Sequence, residues 1–244
     1  RPVRKTQTPP PAQTRGQAAP VKQAPPTIPF EVVPNFFKYS PDMNFGEVSA
    51  VAVNSKRHVF VLSRSNISGP AFGALAGQIL EFDPNGKYVR EIAKGLYNWS
   101  FGHGLRVDKE DNIWQVDKGS STVTKLSPQG RVLMVFGRKG EASSTGSDAP
   151  TRDRGARPPD HVDGYFNQPT DVAWDAAGNI YVSDGYVNSR VAKVDANGDW
   201  VKSWGKRGAG PGEFNTPHSI AVDRAGNVFV ADRGNARIQV FDGE

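Results

Sequence analysis

The sequence contains no cysteine, which rules out disulfides and thiolate metal sites. It leaves the compartment open, because extracytoplasmic bacterial proteins often manage without bridges. No run approaches the roughly 18 apolar residues that a spanning helix requires, and mean hydropathy is −0.53. Acidic residues are missing from Arg1 to Phe30, where Arg1, Arg4, Lys5, Arg15 and Lys22 supply the whole net charge of +5. The rest of the chain balances 25 Lys+Arg against 25 Asp+Glu. Such a neutral body lacks the phosphate-neutralising face of a nucleic-acid binder. Also absent is any helix-length stretch of 3.6-residue apolar periodicity, which excludes a helical solenoid.

What is present is turn chemistry, with 26 Gly and 19 Pro. Eight of those prolines fall in residues 1–29, among Gln, Thr and Ala. Too little apolar surface is available there to offset the entropy of ordering, so residues 1–35 read as a disordered, basic, Pro-rich tail. Its function is either a tether to an envelope or wall, or that of an inert linker. A chain beginning at Arg1 without an apolar signal core fits a processed secreted or periplasmic protein, and equally a trimmed one. Asn66-Ile67-Ser68 and Asn98-Trp99-Ser100 are sequons, triplets that also arise by chance.

Residues 36–244 read as an all-β domain built from repeats. Four segments align without gaps. They are Ser49–Asn54 with His58–Ser63, His103–Asp108 with Asn112–Asp117, Thr170–Asp175 with Asn179–Asp184, and His218–Asp223 with Asn227–Asp232. Each pair is two short alternating strands joined by a turn such as Asp175-Ala-Ala-Gly. Third strands follow at Gln78–Phe82, Val123–Leu126, Arg190–Val194 and Arg237–Phe241, and fourth strands at Tyr88–Ile92, Val132–Phe136 and Trp200–Trp204. Repeat starts lie 54, 67 and 48 residues apart. Four antiparallel strands recurring at this interval describe β-propeller blades. The fourth repeat reaches Glu244 after its third strand. Residues 137–166 lengthen one interval with a Gly/Ser/Asp/Arg/Pro-rich loop of the kind that crosses a propeller face. Its His161 reads as an incidental loop residue, with metal binding the minor alternative.

Two registers carry chemistry. Ser49, His103, Thr170 and His218 share the start of the innermost strand, which lines the central channel. Two of only four histidines fall in this register. Imidazoles from different blades would converge on one axial point, as metal binding requires; alternatively each bonds a neighbouring loop. The second register, just after the second strand, holds Arg64, Lys118, Gly185 and Arg233, with Tyr186 one position beyond Gly185. Cations there suit a carboxylate, and a tyrosine between arginines and a metal is suited to surrender its proton. The alternative is that each preceding Asp caps a turn and pairs with its arginine at the surface.

Five strings carry a family resemblance: Gly102-His103-Gly-Leu-Arg-Val-Asp108, Gln168-Pro-Thr-Asp-Val172, Ser183-Asp-Gly-Tyr-Val-Asn-Ser-Arg190, Pro217-His218-Ser-Ile-Ala and Ala231-Asp-Arg-Gly-Asn-Ala-Arg-Ile-Gln239. Over about residues 45–241 the chain resembles the peptidyl-α-hydroxyglycine α-amidating lyase domain of peptidylglycine α-amidating monooxygenases, and more broadly the NHL-repeat group. The third string is particular to the lyase branch; the fifth is common to NHL repeats. The resemblance implies a six-bladed ring, so about two further blades are expected after Glu244 and the chain reads as C-terminally truncated.

It further implies that His103 and His218 are two of three zinc ligands, that Tyr186 is the base, and that Arg64 and Arg233 hold the substrate and its developing charge. Backbone carbonyls of Val51 and Leu105 would help hold a structural calcium. The implied reaction converts a peptidyl-α-hydroxyglycine into a peptide amide and glyoxylate. By the same resemblance the third histidine and a neighbouring calcium-binding acid would lie beyond Glu244, and a chain without them is expected to be inactive. Two departures are visible: Val187 stands where animal members have cysteine, and the loop 137–166 is longer. The second reading is a non-catalytic NHL propeller that binds a protein or glycan at the cell envelope. A calcium-dependent lactonase-like propeller ranks last, because the strand starts are Ser, His, Thr and His rather than Asn, Asp and Glu.

Overall fold

Each repeat folds because its turn residues satisfy their own backbone. In the first hairpin of the second repeat, Asp108 Oδ1 accepts the N–H groups of Glu110 and Asn112 at 3.0 and 2.8 Å. Asn179 donates to Asp175 and Asn227 to Asp223 through both amide and side chain in the same way. The residue before each asparagine takes the left-handed conformation, as Asp111, Gly178 and Gly226. Asp tolerates such turns through its short acceptor side chain, and Gly through lack of a β-carbon. The recurring Asp-x-x-Gly/Asp-Asn signature is therefore a hairpin device.

The computed structural model describes residues 27–43, 45–64, 77–139 and 163–244. His161, the Asn66 sequon and most of the tail and of the 137–166 loop lie outside the described residues. The Asn98 sequon lies within them, and its amide is engaged at 3.1 and 2.6 Å by the Thr122 and Thr124 hydroxyls.

Among the described residues, fifteen strands form four antiparallel sheets. The first contains β1 (Val48–Val53), β2 (Val59–Ser63), β3 (Gln78–Phe82) and β4 (Tyr88–Ile92). The second contains β5 (Gly102–Val107), β6 (Ile113–Asp117), β7 (Thr122–Leu126) and β8 (Val132–Gly137). The third contains β9 (Asp171–Trp174), β10 (Ile180–Asp184), β11 (Arg190–Val194) and β12 (Trp200–Trp204). The last contains β13 (Pro217–Val222), β14 (Val228–Asp232) and β15 (Arg237–Phe241), with a 3-10 turn at Arg233–Asn235. Every sheet is a meander of sequence neighbours, and β1, β5, β9 and β13 lie against one another in succession. The described residues form the all-β, propeller-type architecture expected from the repeats.

Apolar packing sits between the sheets. Phe60, Leu62, Ile79 and Ile92 of the first sheet meet Leu105, Ile113 and Leu126 of the second. Trp114, Val116 and Val123 of the second meet Val172, Ile180, Val182 and Val194 of the third. Tyr181 and Val191 of the third meet Ile220, Val228 and Val230 of the fourth. Strands β2, β6 and β10 are covered on both faces, which is why they read as apolar runs rather than strict alternation. Full burial of each such Leu, Ile or Val contributes about 1.5–3 kcal/mol. Phe37, Met43 and Phe45 pack on Val61, Leu80 and Phe82 and cover the outer face of the first sheet.

A second recurring device locks the repeats. Asp117, Asp184 and Asp232, at the ends of β6, β10 and β14, have no solvent exposure. Each accepts backbone N–H groups from the segment that leads into the innermost strand: Ser100 and Phe101, Asn167, and Asn215 respectively. Asp184 also accepts from Asn188 at 2.6 Å and from Arg190 Nε at 3.1 Å; Asp232 accepts from Asn235 and Arg237 at 2.7 and 2.9 Å. The Asp, Asn and Arg of the third and fifth resemblance strings are thus architectural. In the first sheet Ser63 replaces the Asp, and its hydroxyl donates to the Phe45 carbonyl.

Candidate active site at the start of the innermost strands

The two histidines at the innermost-strand starts sit on β-bulges. Gly102 pairs with Asp117 and Gly104 with Val116, so His103 is the extra, unpaired residue. His218 occupies the same bulge between the Pro217–Asp232 and Ser219–Ala231 pairs, and Ser49 the same place in the first sheet. A bulge re-aims the side chain it carries. The chain leading to His218 is held in an unusual conformation as well, with Thr216 at φ 60°. Such strain persists only where surrounding contacts enforce it.

Thr170, the residue before β9, sits between the two histidine-bearing strands. Its carbonyl lies 2.7 Å from His103 Nδ1, so that nitrogen carries the proton and Nε2 keeps its lone pair. Its hydroxyl lies 3.0 Å from the Pro217 carbonyl, the residue before His218. The two imidazole rings stand 4.7 Å apart between centroids. Tyr186 closes the group: its phenol oxygen is 3.3 Å from His103 Nε2 and 3.2 Å from His218 Nε2.

Gly185 places Tyr186 there. A β-carbon at this position would overlap the carbonyl of Pro217, so only glycine lets the turn after β10 approach β13 this closely. The tyrosine is half-buried between cations, with Lys118 Nζ 3.7 Å and Arg233 Cζ 5.4 Å from its ring centroid. Arg64 lies farther along, over the Phe101 ring at 4.0 Å, donating to the Gly102 carbonyl and pairing with Glu47 at 2.8 Å. Neither Arg64 nor Arg233 pairs with the residue that precedes it. Arg233 is exposed.

Electrostatics keep both imidazoles neutral. Burial is the main cause that pushes His103 down to about 4, opposed by its bond to Thr170 and reinforced by His218, Arg64 and Lys118. Burial also lowers His218, with Arg233 and Lys118 adding to it and Asp171 opposing. A neutral imidazole with its Nε2 lone pair free is the form that binds a metal. The Nε2 atoms of His103 and His218 converge on one phenol oxygen, a placement that fits two ligands of a zinc site. Among the described residues no group of three or more His, Asp or Glu side chains gathers.

The remaining assignments fall elsewhere. Val51 and Leu105 occupy the same register of β1 and β5, two residues beyond Ser49 and His103, with Val51 exposed and Leu105 buried. His58 pairs with Glu81 at 2.7 Å and takes no part in the cluster. Sequence reasoning gave no role to Thr170 or Asp171. Asp171 is clasped by Arg106 at 3.0 and 2.6 Å and by the Ser219 hydroxyl at 2.6 Å, tying β5, β9 and β13 together.

Comparison with known proteins follows this geometry. The NHL repeat family matches residues 166–194 and 214–241, the third and fourth sheets. The chain is 33% identical over 218 residues to rat peptidylglycine α-amidating monooxygenase, covering 80% of this chain and 20% of that protein. It is 28% identical over 186 residues to peptidyl-α-hydroxyglycine α-amidating lyase 1 of Drosophila melanogaster, covering 68% and 30%. To human NHL repeat-containing protein 3 it is 30% identical over 213 residues, covering 83% and 54%. The chain therefore spans about a fifth of the monooxygenase it matches. Among solved structures, a Bacteroides thetaiotaomicron protein of unknown function superposes with TM-score 0.58 at 19% identity, covering 81% of this chain and 47% of that one. A streptogramin B lyase superposes at 0.54 and 14%, covering 84% and 57%. Those two likenesses concern the fold alone. The chain carries NHL repeats in a propeller-type all-β fold and is related in sequence to the peptidyl-α-hydroxyglycine α-amidating lyases.

Proposed function

We propose that the His103, His218 and Tyr186 cluster is the active site of a lyase that cleaves peptidyl-α-hydroxyglycines to a peptide amide and glyoxylate. The observation that carries this reading is the placement of one phenol oxygen within 3.3 Å of both imidazole Nε2 atoms, the three residues to which the family resemblance assigns two metal ligands and a base. His103 and His218 would hold a zinc ion. Bound there, zinc supplies Lewis-acid polarisation of a hydroxyl oxygen.

The chain's own groups account for the rest. Arg233 receives the glycine carboxylate through its planar fork. Arg64, bonded to Glu47 and Gly102, stands on the same rim and orients the peptide end. Tyr186 takes the proton from the α-hydroxyl as general base. The hydroxyl oxygen then forms the carbonyl of glyoxylate, the C–N bond breaks, and its electron pair stays on nitrogen. That nitrogen acquires a proton and leaves as the amide, so the hydroxyl proton is in effect passed to nitrogen. Thr170 keeps the His103 tautomer fixed throughout. Carbonyls of Val51 and Leu105 offer hard oxygen donors for a structural calcium ion.

Metal analysis of the full-length protein tests the reading at its base: about one zinc is expected, lost on His103→Ala. Zinc retained by that variant, or none in the wild type, contradicts it.

A further inference from the structure

Five side chains alternate along the rim of the cluster. Arg64 lies over Phe101 at 4.0 Å. Lys118 is reached by both rings, 5.6 Å from Phe101 and 3.7 Å from Tyr186. Arg233 stands 5.4 Å from Tyr186. The order is cation, ring, cation, ring, cation, and its members come from all four repeats. Homologous positions of the repeat generate it: Arg64, Lys118 and Arg233 each follow a second strand, and their backbone N–H groups bond Glu47, Phe101 and Thr216 in equivalent fashion.

Charge along this row is uneven. Arg64 is met by Glu47 at 2.8 Å. Among the described residues neither Lys118 nor Arg233 has a carboxylate partner. Lys118 is half-buried, and loss of water, followed by repulsion from Arg64 and Arg233, lowers its pKa. A desolvated ammonium among other cations is costly until an anion joins it. The lyase reading places one carboxylate, that of the hydroxyglycine, on Arg233. Lys118 then still faces the site without a carboxylate partner.

We propose that Lys118 is a specificity-determining residue that binds a second carboxylate, so that the preferred substrate carries Asp or Glu immediately before the α-hydroxyglycine. This rests on the lyase reading for the identity of the first carboxylate. Lys118 and Arg233 flank one ring, and two carboxylates on adjacent residues of an extended peptide, at roughly 3.5 Å of chain per residue plus a side chain, span such a gap. A charge-assisted contact at a half-buried site is worth about 1.5 kcal/mol, or roughly tenfold in affinity.

Two arms separate the inference from the reading beneath it. In the binding arm, N-acetyl-Glu-Gly and N-acetyl-Gln-Gly are titrated calorimetrically into full-length wild type, Lys118→Met and Lys118→Arg. The wild type is expected to favour the Glu peptide about tenfold, Lys118→Met to lose that preference, and Lys118→Arg to keep most of it. Equal affinity for the two peptides in the wild type, or an unchanged preference in Lys118→Met, overturns the proposal. In the turnover arm, the corresponding α-hydroxyglycine substrates are compared, and the Glu preference is expected in KM rather than kcat. Selective binding without any glyoxylate release would sink the lyase reading alone. Turnover without Glu selectivity would sink the role of Lys118 alone.

Discussion

Gly185 and Pro217 touch so closely that no side chain fits between them: a β-carbon on Gly185 would overlap the Pro217 carbonyl oxygen. Because Tyr186 and His218 are the next residues along the chain from each, this contact sets the distance between phenol and imidazole. Gly185→Ala must push the two segments apart. A loss of about 1–3 kcal/mol is expected from overpacking alone, measured by urea denaturation. Zinc affinity and glyoxylate release should fall further than that loss of folding explains. Wild-type zinc binding in Gly185→Ala would show that the approach serves packing only.

His103 ties folding to pH. An unfolded histidine takes up its proton near pH 6.5, whereas the folded, metal-free protein resists protonation until about 4. The unfolded state therefore binds more protons between those values. The contribution of His103 is fully present above about pH 6.5 and is lost as pH falls toward 4, on the order of 3 kcal/mol across the window. Urea melts of metal-free wild type and His103→Gln should show a shallower acid limb in the variant. Parallel limbs would mean that the imidazole titrates normally.

Asp184 and Arg190 serve architecture rather than chemistry. Both are buried with no exposure, and the carboxylate also accepts from Asn167 and Asn188. Burial raises Asp184 to about 6, against the pull of Arg190 and its other donors, so it is ionised at neutral pH. Arg190→Ala leaves that buried charge unpaired and should cost about 3–5 kcal/mol. Calorimetric melting checks this. A variant that melts like wild type but fails to release glyoxylate would instead make Arg190 a site residue.

These residues show what was legible in advance. Alternation and Asp-x-x-Gly-Asn turns report local geometry, so strands, hairpins and repeats could be read directly. The register of His103 and His218 was legible because the repeat itself supplies the alignment. The bulges were not, since one extra residue changes pairing without changing the apolar pattern of the strand. Nor was Thr170 legible as the bridge: its carbonyl acts on His103 and its hydroxyl faces Pro217, and a threonine at a strand start announces neither. The alternative that Arg233 pairs with the preceding Asp232 fails for a physical reason. That carboxylate is buried and already accepts from Arg237 of β15, which leaves Arg233 on the rim; Arg64, preceded by Ser63, pairs with Glu47 instead.

Glyoxylate release from an α-hydroxyglycine-terminated peptide by zinc-loaded full-length protein puts the central claim to its hardest trial. The account expects turnover in the wild type, and loss of a proton-transfer step worth roughly 10²–10⁴-fold in Tyr186→Phe, with zinc content unchanged. Release no faster than the uncatalysed rate in the wild type, or equal release by Tyr186→Phe, would contradict it.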